Sequence, residues 1–127
     1  MTLCIVDVDG VVFDLKHKVA PSSLPHGRCN SPGKEMVLAM IKEVKEGRPT
    51  ANVFVRSHVH YFSFFETLGR IALTTPALQI NSSYGQRQCS GIIDFGFLVC
   101  DVEKGRIIHW HKHLIDQPIK PERVIKL

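Results

Sequence analysis

Two histidines separated by a single residue, His58 and His60, stand shortly after the mostly apolar segment 51–55. That segment is typical of a buried strand, and a strand end is a rigid support for functional side chains. Imidazole nitrogens at positions i and i+2 can bind one metal ion, or two neighbouring ions where the backbone turns the side chains apart. The alternative interpretation is a pair of surface histidines after a strand. His17 becomes a third candidate ligand only if the fold brings it to the end of the same strand.

A second group of histidines, His109, His111 and His113, occupies alternate positions of segment 106–114. Alternate residues of a β-strand share one face, so the three imidazoles are predicted to lie side by side. The apolar residues of the segment are predicted to face the core: Ile108, Trp110 and Leu114. Because the segment contains no acidic residue or cysteine, we interpret it as a solvated strand face, with metal binding as the alternative.

An Asp-Val-Asp-Gly sequence at residues 7–10 follows an apolar run and resembles the first motif of the haloacid-dehalogenase-like phosphatases. The resemblance implies that Asp7 is the nucleophile and Asp9 the general acid. Candidates for the hydroxyl and lysine of the later motifs are Ser57, Thr74 and Lys104. No acidic pair for magnesium follows at a strand end, and residues 11–15 alternate like a second strand. We therefore predict a hairpin turn at Asp9, and this phosphatase is an alternative.

The remaining sequence predicts one helix and about seven strands. Residues 31–46 form the predicted helix, with Ser31 as N-cap, Pro32 in the first turn and Gly47 at the end. Apolar residues recur in it at helical spacing and are predicted to face the core: Met36, Val37, Met40, Ile41 and Val44. Strands are predicted at 3–8, 11–15, 51–55, 61–67, 70–75, 92–102 and 106–114. This pattern predicts an α+β fold in a single domain, 1–127.

Composition narrows the class of protein. The 127 residues include 16 Lys and Arg against 12 Asp and Glu, a net charge of +4, and the basic residues are scattered. That balance suits an anionic substrate and predicts no dedicated nucleic-acid surface. No apolar run is long enough to span a membrane and no signal peptide is visible, so a cytoplasmic protein is expected. The cysteines form no C-x-x-C pair and are expected to be buried thiols: Cys4, Cys29, Cys89 and Cys100.

Several segments together resemble the C-terminal half of a calcineurin-like metallophosphoesterase of the phage and prokaryotic kind. They are His17, the helix, and residues 56–60, 72–79, 89–96 and 102–105. The resemblance implies the sheet-rich half of a two-sheet sandwich. It also implies hydrolysis of phosphate esters at a dinuclear centre of manganese, iron, zinc or nickel. No membrane partner is expected, and nucleic acid stays among the candidate substrates.

The resemblance also implies metal-ligand roles for individual histidines. His58 and His17 correspond to ligands of the second metal, and His60 corresponds to a ligand of the first. Ser57 stands where the Gly-His-x-His motif has glycine, and Lys18 stands where the family often has a second histidine. The metal ligands implied on this chain are therefore three imidazoles.

Motifs of the family's N-terminal half are absent from the sequence: Asp-x-His, the bridging Gly-Asp, and Asn-His-Glu. Without a bridging carboxylate, three imidazoles cannot hold two cations about 3.5–4 Å apart. We therefore expect no catalytic residue on this chain. The chain alone is expected to be an incomplete or inactive phosphoesterase, and its sequence does not decide whether it is itself an enzyme. An N-terminal half is expected in trans or in a longer parent chain, or else self-association. A non-catalytic binding or assembly module is the further alternative.

Overall fold

A computed structural model describes residues 3–47, 49–79 and 93–115. In these ranges the elements are β1 (Leu3–Val8), β2 (Val11–Lys16), α1 (Asn30–Glu46), β3 (Val53–Arg56), β4 (Ser63–Thr67), β5 (Arg70–Thr74), β6 (Phe95–Glu103) and β7 (Arg106–Ile115). The predicted α+β class with one α-helix is confirmed. The predicted polar loop 81–91 and the tail after 115 lie outside the described residues. The start of the predicted strand 92–102 also lies outside them, as do residues 89–92 of the segment 89–96. Over the same ranges, no helix is long and apolar enough to cross a bilayer.

The strands form a mixed five-stranded sheet and a separate two-stranded sheet. The larger sheet has the order β1-β2-β3-β5-β4, and β6 pairs with β7 in the smaller one. Strands β2, β3 and β5 are parallel neighbours, whereas β1 and β4 run antiparallel at the two edges. The carboxyl ends of three parallel strands therefore meet at one end of the sheet, which is where ligands bind in many open sheets with parallel strands.

The five-stranded sheet is covered on both faces, as the alternation of its central strand requires. Phe54 points towards α1 and packs in a cluster with Met36 and Ala72. Val53 belongs to a second cluster, on the other face, which receives Trp110 and other side chains of β6 and β7. The layers are therefore helix, sheet and hairpin, with the core on each side of β3.

The Asp-Gly sequence forms the predicted hairpin turn between β1 and β2. Asp9 and Gly10 have φ of 46° and 90°, and two successive positive φ values are what a two-residue type I′ turn requires. The Asp9 side chain also accepts a 2.6 Å hydrogen bond from the Lys104 amide, and its carbonyl accepts one of 2.6 Å from the Gly105 amide. Asp9 therefore joins the turn of one hairpin to the turn of the other.

The helix differs from the prediction at its start and on its outer face. It begins at Asn30, and Cys29 rather than Ser31 is the N-cap, without a side-chain capping bond; Gly47 ends the helix at φ 65°, as predicted. Of the predicted core stripe, Met36 is buried and Met40 packs beside it. The rest of the stripe is exposed: Val37, Ile41 and Val44. The sheet contacts a narrow face of the helix, and these residues lie to one side of it.

Two further expectations about burial are wrong. Ile108 is 58% exposed, because a bulge pairs Asp101 with His109 and Val102 with Ile107, leaving Ile108 without a partner. Cys4 is an exposed free thiol on the edge strand β1 rather than a buried one. The other described cysteines, Cys29 and Cys100, are free and partly buried, and Cys89 lies outside the described residues.

Candidate functional site

A cleft of about 390 Å³ opens at the carboxyl ends of the parallel strands. His17 follows β2, His58 and His60 follow β3, and residues 75–79 follow β5; all of them line the cleft, together with Ser57. The condition that makes His17 a candidate ligand is met, since its strand ends beside the strand that carries the other two histidines. The metal-ligand role of the three histidines stays a prediction.

His17 and His58 face each other across the strand ends. Their ring centroids lie 5.3 Å apart, with an angle of 68° between the planes. Two imidazoles bound to one tetrahedral ion have centroids about 5 Å apart, so the separation suits a shared ion. The strand ends are tied together, because the Ser57 amide donates to the His17 carbonyl at 3.1 Å and the Ser57 hydroxyl lies 2.9 Å from that of Thr75.

The backbone of the His-x-His segment is strained in a way that aims its side chains. His58 and His60 have φ of 75° and 61°, a left-handed conformation that few residues other than glycine adopt. Val59 between them is 1% exposed and packs with Val19 and Tyr61. A buried anchor with a reversed backbone on each side turns both imidazoles away from the core and towards the cleft.

Asp94 holds the end of this segment, and the sequence analysis did not identify it. Its amide donates to the His60 carbonyl at 2.9 Å, and its carboxylate accepts the Phe62 amide at 2.7 Å. Its carbonyl accepts the Ala77 amide at 2.9 Å. Strained backbone persists where surrounding contacts over-determine it, and Asp94 supplies three such contacts. Nothing in the local pattern around residue 94 indicates this role, which depends on three segments meeting.

The surroundings of His58 favour its neutral form. Burial, followed by the positive charges of His17, Lys18 and His60, lowers the pKa of His58 below its usual range. Neutral imidazole is the form that binds metals. Lys18 opposes a bound cation by the same repulsion, and among the described residues that line the cleft none is Asp or Glu. Without a carboxylate among them, the described cleft residues do not fit a dinuclear centre.

The three imidazoles do not yet converge on a single point. In the part of the chain that the structure describes, no group of three or more His, Cys, Asp or Glu side chains is placed so that it could hold a metal ion. Binding through all three therefore requires side-chain movement within the cleft.

The aspartates of the alternative phosphatase lie elsewhere. The β1–β2 turn joins the amino end of β2, whereas the cleft is at its carboxyl end. Asp7 accepts the Gly10 amide at 2.8 Å, a contact that stabilises the turn. Thr74 is fully buried, with its hydroxyl 2.7 Å from that of Ser63. The hairpin turn accounts for the positions of Asp7 and Asp9, and Thr74 is buried in β5; the phosphatase role of the two aspartates stays an alternative prediction.

No protein-family profile matches this chain, and no curated protein matches it. Solved structures do. One is Vps29 of Entamoeba histolytica complexed with zinc, at 10% identity and a TM-score of 0.53, covering 89% of this chain and 59% of that one. Another is a single mutant of Vps29 from the same organism, at 11% identity and a TM-score of 0.50, covering 90% and 61%.

Vps29 has a calcineurin-like metallophosphoesterase fold. This chain shares that fold. At such low identity the similarity shows the fold alone, and the chain spans about three fifths of the length of the two Vps29 chains. The fold implied by the resemblance is confirmed at this level.

Proposed function

We propose that this chain binds a divalent metal ion through His17, His58 and His60 and is the C-terminal part of a metal-dependent phosphoesterase of the phage and prokaryotic kind. The observation that carries the proposal is the 5.3 Å separation of the His17 and His58 rings at the ends of adjacent parallel strands. His60 lines the same cleft and is the third candidate ligand of this ion; in a completed dinuclear centre the resemblance assigns it to the other metal. Imidazole ligands suit zinc, iron and nickel, and a site completed by carboxylates would also suit manganese.

The histidines would hold and orient the metal, and the rest of the active site must come from elsewhere. In a dinuclear phosphoesterase the ions neutralise the charge that develops as the phosphate ester is cleaved. A carboxylate is needed between two such ions, and none of the described residues lining the cleft supplies one. We therefore expect the chain alone to be inactive or nearly so towards phosphate esters, nucleic acids included.

The missing carboxylates would come from an N-terminal half, in trans or in a longer parent chain, or from a second copy. A sheet edge that pairs with no other strand among the described residues supports a partner of this kind. β1 pairs only with β2 within the five-stranded sheet, and its Leu3 and Ile5 side chains are both more than half exposed. An apolar edge strand is a ready template for further strand pairing.

Zinc titration by calorimetry tests the metal proposal. The His58→Ala/His60→Ala double variant should bind one equivalent of zinc less than the wild type. His26→Ala is the matched control, because His26 is exposed in the turn before α1 and does not line the cleft. Equal zinc binding by the wild type and the double variant would contradict the proposal.

A non-catalytic binding or assembly module is the second candidate function. The observation that favours it is the absence of a carboxylate among the described cleft residues, together with the positive charge of Lys18. Such a module would hold no metal through His58 and His60. The same titration therefore separates the two candidates.

A further inference from the structure

The outer face of the β6–β7 hairpin joins histidines to a carboxylate from the opposite strand. His109 and Asp101 are direct cross-strand partners. The Nε2 atom of His111 lies 2.7 Å from Oδ2 of Asp101. The sequence of β7 shows no acidic neighbour for these histidines, because the carboxylate belongs to β6 and strand pairing brings it to the same face.

The distances among these side chains are close to those of a zinc site. The ring centroids of His109 and His111 lie 4.3 Å apart. Two imidazoles on one tetrahedral zinc ion have centroids about 5 Å apart, so these two rings would have to separate by slightly under about 1 Å. An imidazole nitrogen and a carboxylate oxygen on one tetrahedral ion are about 3.4 Å apart. Opening the His111–Asp101 contact by less than about 1 Å would therefore admit the ion.

The side chains are free to make that movement. The side chains of His111 and Asp101 are 41% and 54% exposed, and their contact is on the solvent side of the hairpin. In their present positions these side chains could not hold a metal ion, in keeping with the hydrogen bond that joins His111 to Asp101. Rotation of exposed side chains is fast and needs no change in the backbone.

We propose that Asp101, His109 and His111 bind one zinc ion on the hairpin face, at a site separate from the cleft. Two imidazoles and a carboxylate are a common zinc ligand set, with water completing the coordination. His113 is outside this set, because its ring stacks on Phe97 at 4.7 Å and lies 6.3 Å from His111.

The ion would connect β6 and β7 beside the β-bulge, where the pairing of the two strands is irregular. Asp101 is on β6 and both histidines are on β7, so a shared ion bridges the strands directly beside the bulge at Asp101/Val102. A two-stranded sheet is marginally stable alone, and a ligand that binds only the folded form stabilises it. The proposal does not depend on the cleft, whose histidines lie on other strands.

The test is calorimetric titration with Zn²⁺ of the His58→Ala/His60→Ala variant. This variant lacks two of the cleft histidines and is named the cleft-deleted variant. We expect about one equivalent of zinc to bind this variant. Adding His109→Ala or Asp101→Asn should weaken binding at least tenfold, because each removes one ligand. Adding His113→Ala should change it by less than about threefold. Circular dichroism of each variant checks that these exposed substitutions leave the fold intact.

Thermal unfolding gives a second readout. Zinc should raise the midpoint of unfolding of the cleft-deleted variant and should not raise it once His111→Ala is added. Absence of zinc binding to the cleft-deleted variant, or binding unaffected by His109→Ala and Asp101→Asn, would overturn the proposal. If the cleft-deleted variant fails to fold, the wild type serves instead, and His111→Ala should lower its zinc stoichiometry by one.

Discussion

His58 and His60 both adopt left-handed backbone conformations, with φ of 75° and 61°. Each such conformation costs a residue other than glycine about 1–2 kcal/mol. Local interactions alone do not favour it, so the contacts of Val59 and Asp94 must impose it. Strain of this kind is common at functional sites, and here it falls on the two residues whose side chains enter the cleft.

The strain predicts how position 60 responds to glycine. His60→Gly should be more stable than His60→Ala by about 0.5–1 kcal/mol, because glycine tolerates the left-handed conformation despite its larger unfolded-state entropy. Urea denaturation of the two variants measures the difference. At His26, which lacks a positive φ, the order should reverse, with alanine more stable than glycine. Equal stability of the two position-60 variants would show that the segment relaxes without cost.

Local features of the fold could be predicted from sequence, and long-range ones could not. Asp9-Gly10 forms a tight turn because aspartate and glycine tolerate positive φ, and in the Lys104-Gly105 turn only the glycine is of such a type. The outer face of α1 was assigned wrongly, since helical spacing identifies an apolar stripe but does not say how wide a face the sheet will cover. The proximity of Asp101 to the histidines of β7 could not be predicted either, because the register of β6 against β7 depends on the whole hairpin.

The candidate site in the cleft could also be predicted only in part, because some of its features are local in sequence and others depend on long-range contacts. Adjacent histidines at a strand end are visible as a motif, so His58 and His60 could be named from their spacing. His17 could be named only conditionally, because parallel pairing of β2 and β3 decides where it lies. Asp94 could not be found, since its contacts join three segments that are distant in sequence.

Arg56 should be the most sensitive charged residue next to the cleft. Arg56 is 4% exposed, and its guanidinium donates to Glu35 at 2.6 Å and to Asp14 at 2.8 Å. Arg56→Met would leave two partly buried carboxylates without that partner, at a cost of about 3 kcal/mol in unfolding free energy. Lys16→Met is the control, because Lys16 makes a longer, more exposed contact with Glu35 and should cost under about 1 kcal/mol. Guanidinium denaturation compares them, and equal costs would contradict the interpretation.

Glu43 should make stability depend on pH in the acidic range. Hydrogen bonds from Arg70, followed by that from Thr50, lower its pKa from 4.5 to about 2. Above pH 4.5 the carboxylate is ionised in both states and the contribution to folding is complete. As pH falls from 4.5 towards 2, the unfolded chain takes up the proton first and the contribution is lost.

The Glu43→Gln variant tests this dependence. Its deficit in unfolding free energy relative to the wild type should be constant above pH 4.5 and should shrink as pH falls to about 2. Glu46→Gln on the same helix is the control, because its 3.8 Å pair with Lys42 is exposed and should contribute under about 0.5 kcal/mol throughout. Urea denaturation at several pH values measures both, and a deficit that grows on acidification would refute the assignment.

Gly96 is the residue that lets β6 approach β7 at their open end. Its φ is 154°, and a Cβ atom there would clash with the carbonyl oxygen of His113. Its amide also donates to the Ala77 carbonyl at 2.9 Å, which connects the hairpin to a wall of the cleft. Because backbone atoms meet the added methyl group, rotation of a side chain cannot relieve the clash.

Gly96→Ala should therefore cost at least about 3 kcal/mol in unfolding free energy, at the upper end of what overpacking costs. Gly69→Ala is the matched control: its φ of 72° also disfavours alanine, but no atom lies within 4 Å of its Cβ position. That variant should lose only about 1–2 kcal/mol, the cost of the left-handed backbone. Urea denaturation compares the two. A Gly96→Ala cost no larger than that of Gly69→Ala would mean that the strands separate locally, and hydrogen exchange of the β6 amides would then increase while the five-stranded sheet stays protected.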